Sequence, residues 1–544
     1  MYGSLSMGGA ASSAVPGPRG RDTLAHCGFP ALHGVRMSEN QYRQIRLEKL
    51  EKIKTLGIEP WPAKAKRTHG IAQIVEELKD ATAESLEAAP IRVSVMGRLI
   101  AIREMGKSVF AHLTENGQKL QAYFRKNDLD DTAWELLRLL DLGDFISVSG
   151  PLMRTKTGEL SVRVEQLQFL SKAILPLPEK WHGLQDKEQR YRQRYLDLVS
   201  NAEVLHTFQK RSRILSCVRS YMDRQGFLEV ETPMMQPIPG GATARPFITH
   251  HNALNIPLYL RIAPELYLKR LIVGGFEKVF EVNRNFRNEG VSQRHNPEFT
   301  MMESYSAGDD LRDVMRLTEN LFNTAAREVM GAESLPYGEL EDGSPRLISY
   351  AVPFRRMTLK DAIAEYGGIE RARLDDPLEI VKLAKEAHVE DLDKKSPGHL
   401  LGDLFEHHAE KHLIQPTFIT DYPVELSPLT KELPDQPGFV DRFELFIAGM
   451  ELANAYSELN DPIVQLERFQ AQLDEREAGN DEAMLLDTDF VTSLEHGFPP
   501  CGGLGIGIDR LVMLMTGHQS IRDVILFPLM RPHRAEVSVE KAEA

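Results

Sequence analysis

The chain has 544 residues, 65 of them basic and 79 acidic, for a formal net charge of −14; that length holds about three or four domains and a large core. Such a charge repels nucleic acid unless a local basic surface meets it, so composition alone does not suggest RNA. Cys27, Cys217 and Cys501 are widely spaced and form no CxxC, which indicates neither a disulfide framework nor a zinc site and fits a reducing compartment, and no apolar run approaches the roughly 18 residues of a membrane helix.

Residues 1–37 are rich in Gly, Ser, Ala, Pro and Arg, with Asp22 the only acid before Glu39, and are expected to be a disordered extension. The basic composition would allow a transit peptide, but Pro and Gly interrupt any amphipathic helix. An upstream extension or mis-assigned start is preferred, because ordered-looking sequence begins at Met37-Ser38-Glu39. From Ser38 a helix is predicted, with Ile45, Leu50, Ile53 and Leu56 apolar and Gly57 and Pro60 as stops.

Between Ile91 and Leu170 lie short alternating runs (VSVMGRLIAI, SVFAHLTENGQKLQAYF, DFISVSGPLMRT, ELSVRVEQLQFL) punctuated by Asn116-Gly117 and Thr157-Gly158, with a helical segment near Thr132 to Leu140. Five strands in this space suit an OB barrel, a scaffold that binds single strands by stacking bases on aromatic rings. An aromatic at strand spacing, such as Phe110, is by default core. Residues 173–205 start Pro-rich and become a basic helix that joins domains, either lying on a nucleic-acid backbone or simply covering the junction. A long helix (Thr207 to Gln225) and a strand, FLEVETPMM, follow.

Lys278 to Tyr305, KVFEVNRNFRNEGVSQRHNPEFTMMESY, reads as two strands joined by a polar loop from Arg287 to Pro297. Phe299, Met301, Glu303 and Tyr305 share one face of the second strand. Arg287, at the loop's root, offers the planar fork that grips phosphate oxygens. Residues 306–405 are mostly helical in pattern; His408 and His412 in HHAEKH lack the HExxH glutamate of a zincin, and IQPTFITDYPVELSPL returns to strand style. In CGGLGIGIDRLVMLMT the glycines at 502, 503, 505 and 507 remove side chains where a backbone would lie against a ligand. Ile508 breaks a Rossmann fingerprint, and no P-loop is present.

FRNEG followed by RHNPEFTMMESY, then GLGIGIDR some two hundred residues later, resembles motifs two and three of the class II aminoacyl-tRNA synthetases, and RSRILSCVRSYMDRQGFLEVETPMM resembles motif one. PGGATARPF, RIAPELYLKRL, ELANAYSELND and EHGFPP fill the intervals in the manner of the lysyl branch. The resemblance covers roughly residues 38 to 533. It implies an α+β chain: an N-terminal helix and OB-fold anticodon-binding barrel (38–172), a linker (173–205), a class II catalytic domain built on an antiparallel sheet flanked by helices (206–535) with a helical insertion at about 306–405, and a tail (536–544).

By that resemblance the substrates are ATP, L-lysine and tRNA(Lys), in a cytoplasmic homodimer with no membrane association. Arg287 and Arg510 are the catalytic residues. ATP is expected on Arg287, Glu289, His295, Asn296, Phe299, Glu444, Glu451, Asn454 and Arg510, with Mg²⁺ on Glu444 and Glu451, since a hard cation accepts one or two carboxylates beside phosphate oxygens. Lysine is expected on Gly241, Glu265, Arg287, Glu303, Tyr305, Asn454 and Glu458, the acids pairing a buried ammonium. On the barrel, Phe110 is the implied stacking ring, with Arg103, Gln121 and Glu159 on base edges.

Glu451, Asn454 and Glu458 have helical spacing, yet the family places them on a strand, where Glu451 and Glu458 have opposite parity. A bulge near Leu452 to Asn454 is therefore predicted. The sequence departs from the common pattern at MELANAY, which lacks glycines flanking the asparagine, at Gly308, and at Cys501-Gly502. Two other activities fit parts of the pattern: ligation of lysine to a protein, which would not need the barrel, and a non-catalytic RNA-binding role, which would not need both arginines.

Overall fold

The computed structural model describes residues 37–178, 184–477 and 484–532; the expected extension before Met37 and the 536–544 tail lie outside the described residues. Two compact units divide between Pro176 and Leu177.

In the first unit, helix Met37–Thr55 buries Leu50 and Ile53 but leaves Ile45 exposed, so its apolar stripe is narrower than expected. Six strands follow: β1 (Arg92–Met105), β2 (Ser108–Glu115), β3 (Gln118–Arg125), β4 (Phe145–Arg154), β5 (Leu160–Arg163) and β6 (Gln166–Ser171). Their order is β1-β2-β3-β5-β4-β6, and β1 also pairs with β4, which closes the barrel and satisfies the edge donors that an open sheet would leave bare. Strict alternation puts Val109, Ala111 and Leu113 of β2 and Leu120, Ala122 and Phe124 of β3 inside. Helix Asp131–Leu139, capped by the Asp130 carboxylate on Ala133 N, lies between β3 and β4 and packs Trp134, Leu136 and Leu137 on the same core.

The second unit is built on an eight-stranded sheet. Its order is Arg355–Thr358, Thr417–Pro423, Phe439–Ile447, Met450–Ser457, Cys501–Gly507, Glu298–Ala307, Lys278–Phe286 and Leu228–Glu229. It is antiparallel except where each edge strand joins. The register runs from Lys278↔Ser306 to Phe286↔Glu298, leaving 287–297 as the loop. Helices Ala202–Arg224, Leu311–Ala325 and Ile508–Thr516 pack against the sheet around Val218, Phe322, Leu445 and Val512.

Several expectations shift. Helix Ala202–Arg224 begins five residues before Thr207. FLEVETPMM survives only as Leu228–Glu229 on the large sheet and Met235–Gln236 on a three-stranded one, because Pro233 between them cannot donate to a ladder. The 306–405 segment is not purely helical: it carries the hairpin Ser334–Glu339/Pro345–Ser349 and the edge strand Arg355–Thr358. The basic helix breaks at Gln193 into Lys187–Arg192 and Arg194–Ser200. Arg194 is fully buried; it donates to the carbonyls of Arg522 and Leu526 at 2.6 and 3.0 Å and pairs with Asp197 at 2.6 Å, so it anchors the C-terminal segment.

The predicted bulge is present. Leu445 pairs with Ala453 but Phe446 with Glu451, so Leu452 is the extra residue. It turns Glu451 into the cavity that Asn454 and Tyr456 also line.

Candidate active site

Arg287 and Arg510 line the same cavity, of about 800 Å³, and a smaller compartment of about 110 Å³ that opens beside it. Phe299, Glu289 and Asn296 line the smaller compartment, and the Arg287 guanidinium carbon lies 5.3 Å from the Phe299 ring centroid. The Arg287 Nε is buried and, among the described residues, meets no acceptor; an unpaired donor of this kind is costly unless a ligand anion completes it.

Arg510, in the first turn of helix Ile508–Thr516, donates to Glu451 O at 2.6 Å and lies 3.1 Å from His295 Nε2. Burial and the Arg510 charge lower the His295 pKa, so a neutral ring accepts from Arg510 there. Asp509 secures this corner by accepting from Thr300 N at 2.7 Å and pairing with Arg211 at 2.6 Å. The Asn296 amide is already engaged, donating to Glu298 O at 2.6 Å and accepting from Leu529 N at 3.2 Å; it shapes the compartment wall.

Glu444 and Glu451 line the large cavity, and burial together with Glu451 pushes the Glu444 carboxyl up to about 7 against the opposing charge of Arg442. Tyr422 OH donates to Glu444 at 2.8 Å. Arg442, which sequence reasoning missed, is a buried hub that donates to Glu444, to Asn454 Oδ1 at 3.1 Å and to Ser427 Oγ at 2.7 Å. Its signal was parity: Arg442 stands two residues from Glu444 on one strand. Two carboxylates facing one cavity suit a hard cation that takes its other ligands from phosphate oxygens. Among the described residues no group of three or more metal-ligating side chains forms a protein cage.

The far end of the cavity is acidic. Glu265, at the start of helix Glu265–Val273, is 4% exposed, and Glu303 and Tyr305 come from the central strand. Burial and Glu265 push the Glu303 carboxyl up to about 8, and Tyr305 OH donates to it at 3.3 Å. Gly241 has φ +86°, and a Cβ there would fall 2.9 Å from Glu265 Cβ, so glycine lets that backbone meet Glu265. Glu458 does not line the cavity; it is 1% exposed behind the wall, where a Cβ on Gly503 would fall 1.8 Å from its Oε1. Lys269, also missed by sequence reasoning, lies against both acids, donating to Glu265 Oε1 at 2.7 Å and pairing with Glu458. Its signal was the i, i+4 spacing from Glu265.

On the barrel, Phe110 faces outward from β2 and is not core: it stacks on Tyr123 of β3, with centroids 4.7 Å apart. Arg103 is exposed opposite Phe110 on β1. Gln121 donates to Glu159 at 2.6 Å, and His112 lies 2.7 Å from the other Glu159 oxygen. Tyr123 and His112 thus extend the face; alternation with Phe110 could have found His112.

Residues 186–531 match the family described as tRNA synthetases class II (D, K and N), and residues 93–170 match the OB-fold nucleic acid binding domain. The chain is 53% identical over 492 residues to a lysine–tRNA ligase of Bacillus subtilis (strain 168), covering 90% of this chain and 97% of that one. It is 52% identical over 496 residues to the lysine–tRNA ligase of Carboxydothermus hydrogenoformans, covering 91% and 98%. Identity to that of Citrobacter koseri is 51% over 495 residues, covering 91% and 97%.

Proposed function

The chain belongs to the class II tRNA synthetases of the D, K and N group, and on that premise we propose that it is a lysine–tRNA ligase, which activates L-lysine with ATP and transfers lysyl to the 3′ end of tRNA(Lys). The observation that carries this reading is that Arg287 and Arg510 converge on one cavity whose other end is closed by Glu265, Glu303 and Tyr305.

Positioning and electrostatics do the chemical work. Adenine stacks on Phe299, with Glu289 and His295 completing the nucleotide contacts. Arg287 bridges the lysine carboxylate and the α-phosphate, its buried Nε finding there the acceptor it lacks among the described residues, and so stabilises charge at the transferring phosphorus. Arg510 holds the far phosphates. Glu303 and the Gly241 backbone take the α-amino group, Asn454 the carboxylate, and Glu265 and the Tyr305 hydroxyl the ε-ammonium, with Glu458 behind the wall reaching that end only through Lys269. Glu444 and Glu451 would hold Mg²⁺, which when bound neutralises polyphosphate charge.

On the barrel, a uracil of the anticodon stacks on Phe110, while Arg103, Gln121 and Glu159 read base edges. Exposed Leu228, Met235, Ile248 and Ile256 beside the first motif support a homodimer. No described helix is long and apolar enough to cross a membrane, and we place the enzyme in the cytoplasm. Ligation of lysine to a protein would not need the barrel, and a non-catalytic role would not need both arginines in one cavity. The test is pyrophosphate exchange with each of the twenty amino acids, followed by charging of unfractionated tRNA. Exchange and charging with lysine alone are expected; exchange driven by another amino acid, or exchange without charging, overturns the reading.

A further inference from the structure

Lys269 is fully buried, one turn after Glu265 on helix Glu265–Val273. Its Nζ donates to Glu265 Oε1 at 2.7 Å, pairs with Glu458, and lies 6.0 Å from the Tyr305 ring centroid. A lysine this deep is rare. As a device for stability it is weak, since well-packed apolar residues often replace buried ion groups at no net cost. Its position is better explained by what it does to the two acids.

Buried side by side, Glu265 and Glu458 would repel each other, and one would take up a proton. We propose that Lys269 is the positioning residue for amino-acid recognition: its ammonium holds Glu265 and Glu458 as a fixed ionised pair, leaving the trio one net negative charge that a single cationic side chain neutralises. This rests on reading the acidic end as the lysine side-chain site. The count is two carboxylates against one resident ammonium, so the entering ε-ammonium completes a neutral set of four. An uncharged amino-acid side chain would leave one buried charge unbalanced.

The other titratable groups around this set do not alter the count. From the central strand come Tyr305, whose phenol burial keeps protonated, and Glu303, farther along and directed at the α-amino end; Cys501 comes from the glycine strand beside it and Tyr456 from Met450–Ser457 on that strand's far side, and burial raises both. Glu458 keeps its place because residue 503 has no side chain. Burial raises the Glu458 carboxyl and the Lys269 ammonium pulls it back down, while the two acids hold that ammonium charged against its own burial.

The same count makes an unusual forecast for a pair of substitutions in the full-length chain. Lys269→Met leaves two negative charges, Glu265→Gln leaves none, and the double variant restores one. Lysine-dependent pyrophosphate exchange should show the KM for lysine raised about 30-fold or more in each single variant, with the KM for ATP within about twofold. The double variant should bind lysine at least about fivefold more tightly than Glu265→Gln alone. In Lys269→Met the pH dependence of the lysine KM should move upward by about one unit, and Lys269→Arg should bring it back. Additive losses in the double variant, or an unmoved pH profile in Lys269→Met, overturn the proposal. Should Lys269→Met not fold, the double variant, which carries the same net buried charge as the unaltered chain, still decides the question: lysine binding no tighter than in Glu265→Gln alone overturns the proposal. If the unaltered enzyme shows no lysine-dependent exchange at all, the reading of the site fails instead.

Discussion

Replacing Glu265 with glutamine isolates the charge proposed to select the substrate. The side chain is 4% exposed and lines the amino-acid end of the cavity, but not the smaller compartment that holds Phe299. Glutamine keeps the shape and one acceptor oxygen, and loses the charge. A hydrogen bond to a charged group contributes about 1.5–3 kcal/mol, and removing one partner of a buried charge pair costs about 2–5 kcal/mol. The overlap, about 2–3 kcal/mol, corresponds to a loss of roughly 30- to 150-fold in kcat/KM for lysine at ~1.36 kcal/mol per tenfold. Pyrophosphate exchange, with lysine and ATP varied separately, reads both constants. The KM for ATP should stay within about twofold, because a residue outside the nucleotide compartment changes no ground-state contact there. Equal losses for both substrates would remove Glu265 from side-chain recognition and would refute the reasoning.

Arg287→Ala should reduce lysine-dependent exchange by about 10² to 10³ or more, the scale of a lost charge-stabilising donor; near-normal exchange would sink the role assigned to it. Phe110→Ala removes a base-stacking ring contributing ~1–3 kcal/mol, so charging should need roughly 5- to 150-fold more tRNA while exchange without tRNA is unchanged; a change in exchange would place the residue in the barrel's fold instead. Arg442→Met leaves Glu444 buried beside Glu451, which should lower stability to denaturant by about 3–5 kcal/mol; a loss under about 1 kcal/mol would mean that Glu444 is already neutral. Burial pushes the Glu303 carboxyl up to about 8. Below that pH it carries a proton that the substrate's α-ammonium must displace, so kcat/KM for lysine should rise with pH and level off above about 8; a flat profile with ATP saturating would contradict the role given to Glu303.

What the sequence made legible was whatever local pattern encodes. The hairpin around Arg287 was readable because period-two alternation on both sides bounds the polar loop, and the observed register ends where the alternation does. The bulge at Leu452 was expected from a parity conflict between Glu451 and Glu458; in the fold it puts Glu451 in phase with Asn454 and Tyr456, while Glu458 lies one residue past the strand. Lys269 and Arg442 were not found, although each stands at a readable offset from an acid that was. Their roles lie in contacts across elements, Lys269 with Glu458 nearly two hundred residues on and Arg442 with the Ser427 hydroxyl, and a lone basic residue carries no local mark of such a partner.

The glycine strand shows the same limit from the other side. Glycines at 502, 503, 505 and 507 read in sequence as backbone laid open to a ligand. In the fold they answer to different neighbours: a Cβ at 502 would fall 2.6 Å from Val314 Cγ2, one at 503 would collide with Glu458, and one at 505 would lie 3.2 Å from Met301 Cε. Only at 507, with Arg510 Cδ at 3.7 Å, is there ordinary room. A missing side chain records that something approaches closely, but not whether that something is a substrate or the protein's own residue. At 503 it is Glu458, the second acid of the proposed charge count, so the glycine that lines the cavity also makes room behind the wall for that acid.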